Sequence, residues 1–327
     1  MFKILNPLWV IGLFQFNAAP TNTFLSTAAV GNREDLIDII TRISPTKTPF
    51  LSMCGKKTAT ATLHEWQTQD LATAANNAQV EGDDATASAV TPTVRLSNRT
   101  QISTKNVTVS GTQQAVLAAG RGKDEMAYQM GLKSFELKRD IEFGLTQNST
   151  AAASPRTTRG LVGWAGDNVD AGVGYVAPIY TTTTGTAQTD GTQRAFTEAQ
   201  LKNVLQKIFT AGGDPDTILM PPLAKQTFSG FTGNSTALRD ADDKKIYAAV
   251  DVYVSDFGTL QAKPSLFQRT RDVWVLESSK WNVAWLRPYE SVDLAATGDA
   301  VKKQLVCEYS LEGLNPKSSG AVLDILV

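Results

Sequence analysis

A chain of 327 residues with 42% hydrophobic content can bury one large core or two moderate ones, and two domains is the working division. Its 31 basic and 32 acidic side chains leave a net charge of -1, which excludes a global field drawing it to nucleic acid or to an acidic membrane. Two cysteines, Cys54 and Cys307, lie too far apart for a disulfide framework or a metal-ligand spacing and read as buried thiols of a reducing compartment.

The first stretch, Lys3 followed by ILNPLWVIGLFQF, imitates a secretory signal, but Asn6, Pro7 and Gln15 interrupt it. It is also too short and too broken to span a bilayer, so it reads as an apolar arm that a neighbour must cover. Asn32 to Asp35 open a short amphipathic helix carrying Leu36, Ile37, Ile39, Ile40 and Ile43, which Ser44-Pro45 ends. Thr58 to Trp66 reads as a strand, and a second extended run continues with breaks from Val94 to Val109. Asp70 to Thr93, between them, is mostly Ala, Asn, Thr and Asp and contains almost nothing that could build a core. A long loop of this kind signals function, and the functional version is a hairpin that leaves its own subunit to lie on another. Glu81, Asp83 and Asp84 make its tip acidic, whereas the flanking strands and the following helix carry Arg95, Arg99 and Arg139 among other basic residues. An acidic tip on a basic neighbour is a docking pair.

Asp124 to Asn148 is the longest helical pattern in the chain, roughly 37 Å at 1.5 Å per residue. Ala127, Met130, Leu137, Ile141 and Leu145 form one apolar stripe, and Tyr128, Leu132 and Phe135 a second. Glu136 with Arg139 and Lys138 with Glu142 are spaced to pair across one turn. Gly120 and Gly122 mark the start. A helix of this length belongs under an extended sheet rather than in a compact bundle.

Pro155 to Thr192 is rich in Gly and Thr and reads as a β-rich connector. Thr197 with Gln200 then makes a capping box ahead of Leu201, Val204, Leu205, Ile208 and Phe209, and Gly212-Gly213 stops that helix. Strands follow at Thr217 to Met220, Ala248 to Val254, Val273 to Glu277 and Asn282 to Leu286, with a helix from Pro221-Pro222 through Phe228, an alternation that reads as a second α/β lobe. Lys302 to Tyr309 and Ala321 to Val327 are the last candidate strands and return toward the long helix.

Chemistry is scarce. The one histidine, His64, stands in a strand beside Trp66 and reads as a packed or solvent-facing residue with no second His or Cys nearby to share a metal. A Cys54–His64 nucleophile and base pair needs a spatial geometry that spacing does not supply. Gly120-Arg121-Gly122-Lys123 looks like a phosphate cradle but has Leu117 and Asp124 where a P-loop needs Gly and Ser or Thr. Glu81 to Asp84 lacks the alternating spacing and distal Glu of a calcium loop. Four Asn-x-Ser/Thr sequons, at Asn98, Asn106, Asn148 and Asn234, are the chance product of a Thr-rich chain. No catalytic residue, metal or cofactor is expected, and elimination leaves a structural protein, with a phage tail or surface adhesion protein as the alternative.

The order of parts, an arm, an extended hairpin, a long helix, an α/β lobe and returning strands, resembles the major capsid protein of tailed bacteriophages with the Hong Kong 97-type fold. Asn32 to Leu36, Ser44 to Thr46, Thr48 to Phe50, His64 to Thr68, Glu81-Gly82, Gln101 to Ser103, Val109 to Gln113 and Glu136 to Asp140 are similar to the SU10-like major head protein family. The match is dense over roughly residues 31 to 150. The resemblance implies an α+β chain divided into an N-terminal arm (1–55), an extended β-hairpin loop (56–111), a peripheral domain on a spine helix of about 124–148 (112–194), an α/β axial domain (195–294) and strands returning to the peripheral domain (295–327). It implies hexamers and pentamers of this chain in an icosahedral head, a portal protein, possible decoration proteins, and double-stranded DNA enclosed without sequence-specific contacts. Only about fifty residues precede the extended loop, too few for a fused scaffolding domain of the usual size, which implies a separate scaffolding protein or none. Met1 to Phe16 lies outside the family pattern, and no residue matches a cross-linking lysine and asparagine. Glu81, Asp83, Asp84, Arg95, Arg99 and Arg139 are the candidate intersubunit contacts, and the virion, assembled in the host cytoplasm, is the implied location.

Overall fold

The structure is a computed structural model that describes residues 44–84, 87, 89–116, 124–231 and 251–326. The helix read at Leu36 to Ile43, the apolar arm before it, the glycine start of the long helix and residues 248–250 of one expected strand lie outside the described residues.

In chain order the elements are α1 (Pro49–Met53), β1 (Gly55–Thr58), β2 (Leu63–Thr68), β3 (Val94–Arg99), β4 (Gln101–Ser110), α2 (Gly111–Ala115) and α3 (Glu125–Thr146). The connector holds β5 (Ala152–Ala153), β6 (Arg156–Thr157), β7 (Val169–Asp170) and β8 (Arg194–Ala195). Then come α4 (Glu198–Thr210), β9 (Thr217–Met220), α5 (Pro222–Ser229), β10 (Val252–Ser255), β11 (Gly258–Pro264), β12 (Val273–Leu276), β13 (Trp281–Asp293), β14 (Ala300–Gly313), β15 (Gly320–Val322) and β16 (Ile325–Leu326).

The long helix α3 runs for 22 residues and starts where Asp124 caps it, its side chain accepting the Ala127 N–H at 3.1 Å. Leu137, Ile141 and Leu145 are fully buried, each contributing about 1.5–3 kcal/mol by leaving water. The first turn differs from expectation, because Met126 rather than Ala127 is buried there. Met130 is half-buried and packs with Met126 against Val107 and Val109 of β4. The expected pairs Glu136–Arg139 and Lys138–Glu142 do not form. Glu136 pairs with Lys133 at 2.8 Å and sits 3.9 Å from Lys105, while Glu142 points into the core.

Helix α3 packs on a four-stranded sheet ordered β1-β13-β14-β4, antiparallel except for β1, which runs parallel to β13. The expected single strand from Thr58 to Trp66 is two strands, since β1 joins this sheet and β2 leaves it to pair with β3. Strand β13 is longer than its apolar pattern suggested. Its pairing with β14 shifts register around Pro288, which cannot donate to a ladder, and it continues to Asp293 beyond the bulge.

A six-stranded mixed sheet follows the order β10-β11-β9-β12-β15-β7. Helix α4 covers it with Leu201, Val204, Leu205 and Ile208, all buried, while Phe209 stays exposed. The expected cap is present, the Thr197 N–H donating to Gln200 Oε1 at 3.0 Å. Strand β11 has no counterpart in the expectation, because GTLQAKP neither alternates cleanly nor avoids proline. Strands β9 and β12 are buried along their whole length, which accounts for the unbroken apolar runs TILM and VWVL. Trp274 and Leu276 of β12 face the core under α3, whereas Val273 and Val275 face the core under α4. The stretch 195–294 therefore spans both sheets, β13 lying in the first, and the second sheet recruits β7 and β15 from outside that stretch.

Candidate intersubunit surfaces

Strands β2 and β3 pair in register from Leu63 with Arg99 to Thr68 with Val94, making the base of a hairpin. Trp66 ties the base to the body, with Nε1 donating to the Gly313 carbonyl at 2.9 Å and the ring 5.5 Å from that of Trp164. Asn98 is fully buried. Its Nδ2 donates to the carbonyl of Leu311 at 2.7 Å, to Thr158 Oγ1 at 3.0 Å and to the carbonyl of Arg159 at 3.2 Å, while its Oδ1 accepts the Arg159 N–H at 2.8 Å. One side chain thus joins β3, the connector and β14, which rules out the glycosylation its sequon would suggest.

Charge is handled the same way. Glu308 of β14 is buried and accepts the Thr100 hydroxyl at 2.7 Å while pairing with Arg156 at 2.7 Å and Arg287 at 3.1 Å. Glu312 pairs with Lys57 at 3.2 Å, and Nε2 of His64 lies 3.8 Å away. Burial acts to raise the pKa of its carboxyl, but the neighbouring His64 and Lys57 hold it below the usual range. His64 is therefore a structural neighbour of Glu312 and Trp66. Glu308, held by Thr100, Arg156 and Arg287 from separate segments, stiffens the joint, since removing any one partner leaves a buried carboxylate less well compensated.

Beyond this joint the chain changes character. From Gln69 to Thr93 the described residues form no strand and are exposed, with Leu71 at 96%, Val80 at 77% and Val90 at 86% of full exposure. A few contacts shape the ribbon: Gln69 Nε2 to the Thr91 carbonyl at 2.7 Å, Lys317 Nζ to Asp70 at 2.7 Å, and a turn closed by the Asp83 N–H on the Val80 carbonyl at 3.1 Å. Gly82 has φ +85°, the left-handed turn position that glycine fills without strain.

Glu81, Asp83 and Asp84 are exposed at this tip. Arg95 is the open candidate among the arginines, its side chain 68% exposed and 3.8 Å from Glu65. Arg99 is half-buried at the hairpin base, and Arg139 is half-buried on α3 with its guanidinium 5.5 Å from the Phe267 ring centre. Among the described residues no ion pair joins the three tip acids to these three arginines within one chain. The residues that fix the hairpin, Asn98, Arg159, Glu308 and Glu312, carried no signal in the sequence beyond being polar residues in apolar surroundings.

Among the described residues, no group of three or more His, Cys, Asp or Glu could hold a metal ion, and no helix is long and apolar enough to cross a membrane.

A spine helix under a long-stranded sheet, a hairpin projecting from a rigid base and an α/β lobe define the Hong Kong 97-type shell proteins. Solved structures agree. The cyanophage A-1(L) capsid asymmetric unit superposes with a TM-score of 0.66 at 13% identity, covering 92% of this chain and 98% of that one. The capsid of a native GTA particle gives a TM-score of 0.62 at 8% identity over 92% and 98% of the two chains. The major capsid protein of Escherichia phage Phieco32 is 29% identical over 348 aligned positions, 93% of this chain and 97% of the relative. The family model of the SU10 major capsid protein matches residues 19–326, and the chain belongs to that family. It is a major capsid protein, a structural component of a tailed-phage virion that assembles with itself into the icosahedral shell.

Proposed function

We propose that residues 69–93 are the principal strap between neighbouring subunits, the acidic tip of Glu81, Asp83 and Asp84 docking on a neighbour's Arg95, Arg99 and Arg139. One observation carries this reading: a ribbon with Leu71, Val80 and Val90 in water projects from a base locked by Asn98 and Glu308. A stiff base costs little conformational entropy on docking, and the exposed apolar side chains are covered only by another copy. Arg95, the most exposed of the three, makes the first electrostatic contact, and the half-buried pair fixes the seat.

On this reading subunits gather as hexamers and pentamers, with the six-stranded sheet and its helices at capsomer centres and the spine-helix sheet toward the periphery. A separate scaffolding protein guides closure in the host cytoplasm, a portal protein occupies one vertex, and decoration proteins are optional additions outside. Packaged double-stranded DNA meets a near-neutral shell that does not grip it, since binding through phosphates needs a local excess of Lys and Arg.

The test is charge reversal with rescue. Replacing Glu81, Asp83 and Asp84 by Lys should leave a folded subunit that forms few shells by negative-stain microscopy. Adding Arg95→Glu to that variant should restore particles. Normal shells from the triple reversal alone would overturn the docking assignment.

A further inference from the structure

The loop between β11 and β12 carries Arg269, Arg271 and Asp272, and it meets Asp190 of the connector and Asp324 of the C-terminal segment. Nη2 of Arg269 lies 2.7 and 2.6 Å from the two oxygens of Asp190. Arg271 reaches Asp190 at 3.3 Å and also pairs with Asp324, which in turn accepts the N–H groups of Gly172 at 3.2 Å and Gly191 at 3.0 Å. Three carboxylates therefore share two guanidinium groups.

Asp272 is the least supported of the three. It is fully buried, and neither of its oxygens has a hydrogen-bond partner among the described residues. Its ion pair with Arg269 is long, at 3.4 Å, because that guanidinium is turned to Asp190. A carboxylate buried on these terms takes up a proton rather than remain charged. Burial, assisted by Asp190 and Asp324 and opposed by Arg269 and Arg271, pushes its pKa up to about 7. Tyr175 faces the same cluster, and burial together with the three carboxylates keeps its phenol protonated.

The position matters as much as the chemistry. Asp272 directly precedes β12, whose side chains alternate between the two cores, and Asp324 stands between Leu323 of the first core and Ile325 of the second. We propose that Asp272 is a proton-operated latch on the seam between the two lobes. With its proton it lets the connector, the loop and the C-terminal segment close on one another; ionised, it sets three carboxylates against two arginines and loosens the seam.

The sign follows from linkage. The folded carboxyl keeps its proton to higher pH than an unfolded aspartate, so the folded state holds an extra proton between about pH 4 and about pH 7, and stability falls as pH rises through that window. The experiment compares unfolding of the full-length chain and its Asp272→Asn variant, a permanently neutral stand-in, across that range. The unfolding constant of the native chain should rise more steeply with pH than that of the variant, by up to about tenfold per pH unit. Equal slopes would overturn the latch. Infrared spectra of the native chain with isotope-labelled aspartate give a readout that does not depend on the variant folding. A protonated aspartate band at about pH 6 that vanishes by about pH 8.5 is expected, and its absence at the lower pH would sink the proposal.

Discussion

The carboxylate of Glu142, in the penultimate turn of the spine helix, accepts the backbone N–H of Phe50 at 2.9 Å across 92 positions of chain, and that of Leu51 at 2.7 Å. These N–H groups open α1, a short helix with Pro49 at its first position and no intrahelical partners for its first donors. Glu142 supplies them from outside, fixing the point where the chain passes from its N-terminal segment onto the core. Burial raises its pKa despite both hydrogen bonds, so the site is a strained compromise between desolvation and donation.

Glu142→Ala leaves the buried Phe50 N–H and the half-buried Leu51 N–H without an acceptor, and a loss of about 2–4 kcal/mol in unfolding free energy is expected. Glu142→Gln should cost less, since one amide oxygen still accepts. Chemical denaturation of the full-length subunit measures both. Equal stability of the alanine variant and the parent would show that α1 is held by Phe50 packing alone.

What the sequence disclosed and withheld has a physical pattern. Leu137, Ile141 and Leu145 announced the spine because burial on one face imposes the helical period, and TILM and VWVL announced strands covered on both faces. Glu142 was hidden because the local rule pairs it with Lys138, and only a segment distant in sequence shows what it serves. Strand β13 was cut short at Leu286 because Arg287, Pro288 and Glu290 break the pattern where the strand bulges. The acid tip was visible as charge, and among the described residues no ion pair within the chain gives it a partner, so its docking on a neighbouring copy is a proposal that no pattern within one chain can assign.

Asn98 gives a second stability prediction. Asn98→Ala removes five hydrogen bonds at the hairpin base and strands a buried carbonyl of Leu311, for a loss of about 3 kcal/mol. Asn98→Asp should be worse above the carboxylate range, because it places a charge where the neighbours offer mainly acceptors. Thermal melts at neutral and acidic pH distinguish them, and an aspartate variant as stable as the parent at neutral pH would contradict the geometry.

Ile141→Asp and Phe143→Asp contrast two faces of one helix. Ile141 is fully buried whereas Phe143 is 54% exposed, so the first should prevent folding and the second should leave a soluble, cooperative subunit. Met130→Asp falls between, because Met130 is only half-buried beside Val107 and Val109. Soluble expression and circular dichroism suffice to rank the three.

Both thiols should be silent in the native protein. Burial pushes Cys307 up to about 12 and Cys54 higher, the latter helped by Glu142, so neither forms a thiolate at ordinary pH. An Ellman titration at about pH 8 should report no reactive thiol in the folded chain and two after denaturation. Rapid labelling of Cys54 would mean that α1 opens readily from the spine helix.

Deleting residues 81–90 tests the strap without altering the joint. The hairpin base, from Leu63 to Thr68 and from Val94 to Arg99, keeps its register, its Trp66 hydrogen bond and its Asn98 hub, so the subunit should melt within about 1 kcal/mol of the parent. The acidic tip and the exposed Val90 are gone, and with them the surface proposed to dock on a neighbour. Size-exclusion chromatography should then give small oligomers where the parent gives shells. Mixing the deletion subunit with the parent adds a sharper reading. Under the proposed docking, a subunit that has lost its own strap still presents Arg95, Arg99 and Arg139 to others, so it should enter mixed particles in a minority share and block closure as its fraction rises. If the deletion variant closes into normal particles by itself, the ribbon is an ornament of the shell and the contacts that hold it lie elsewhere on the subunit.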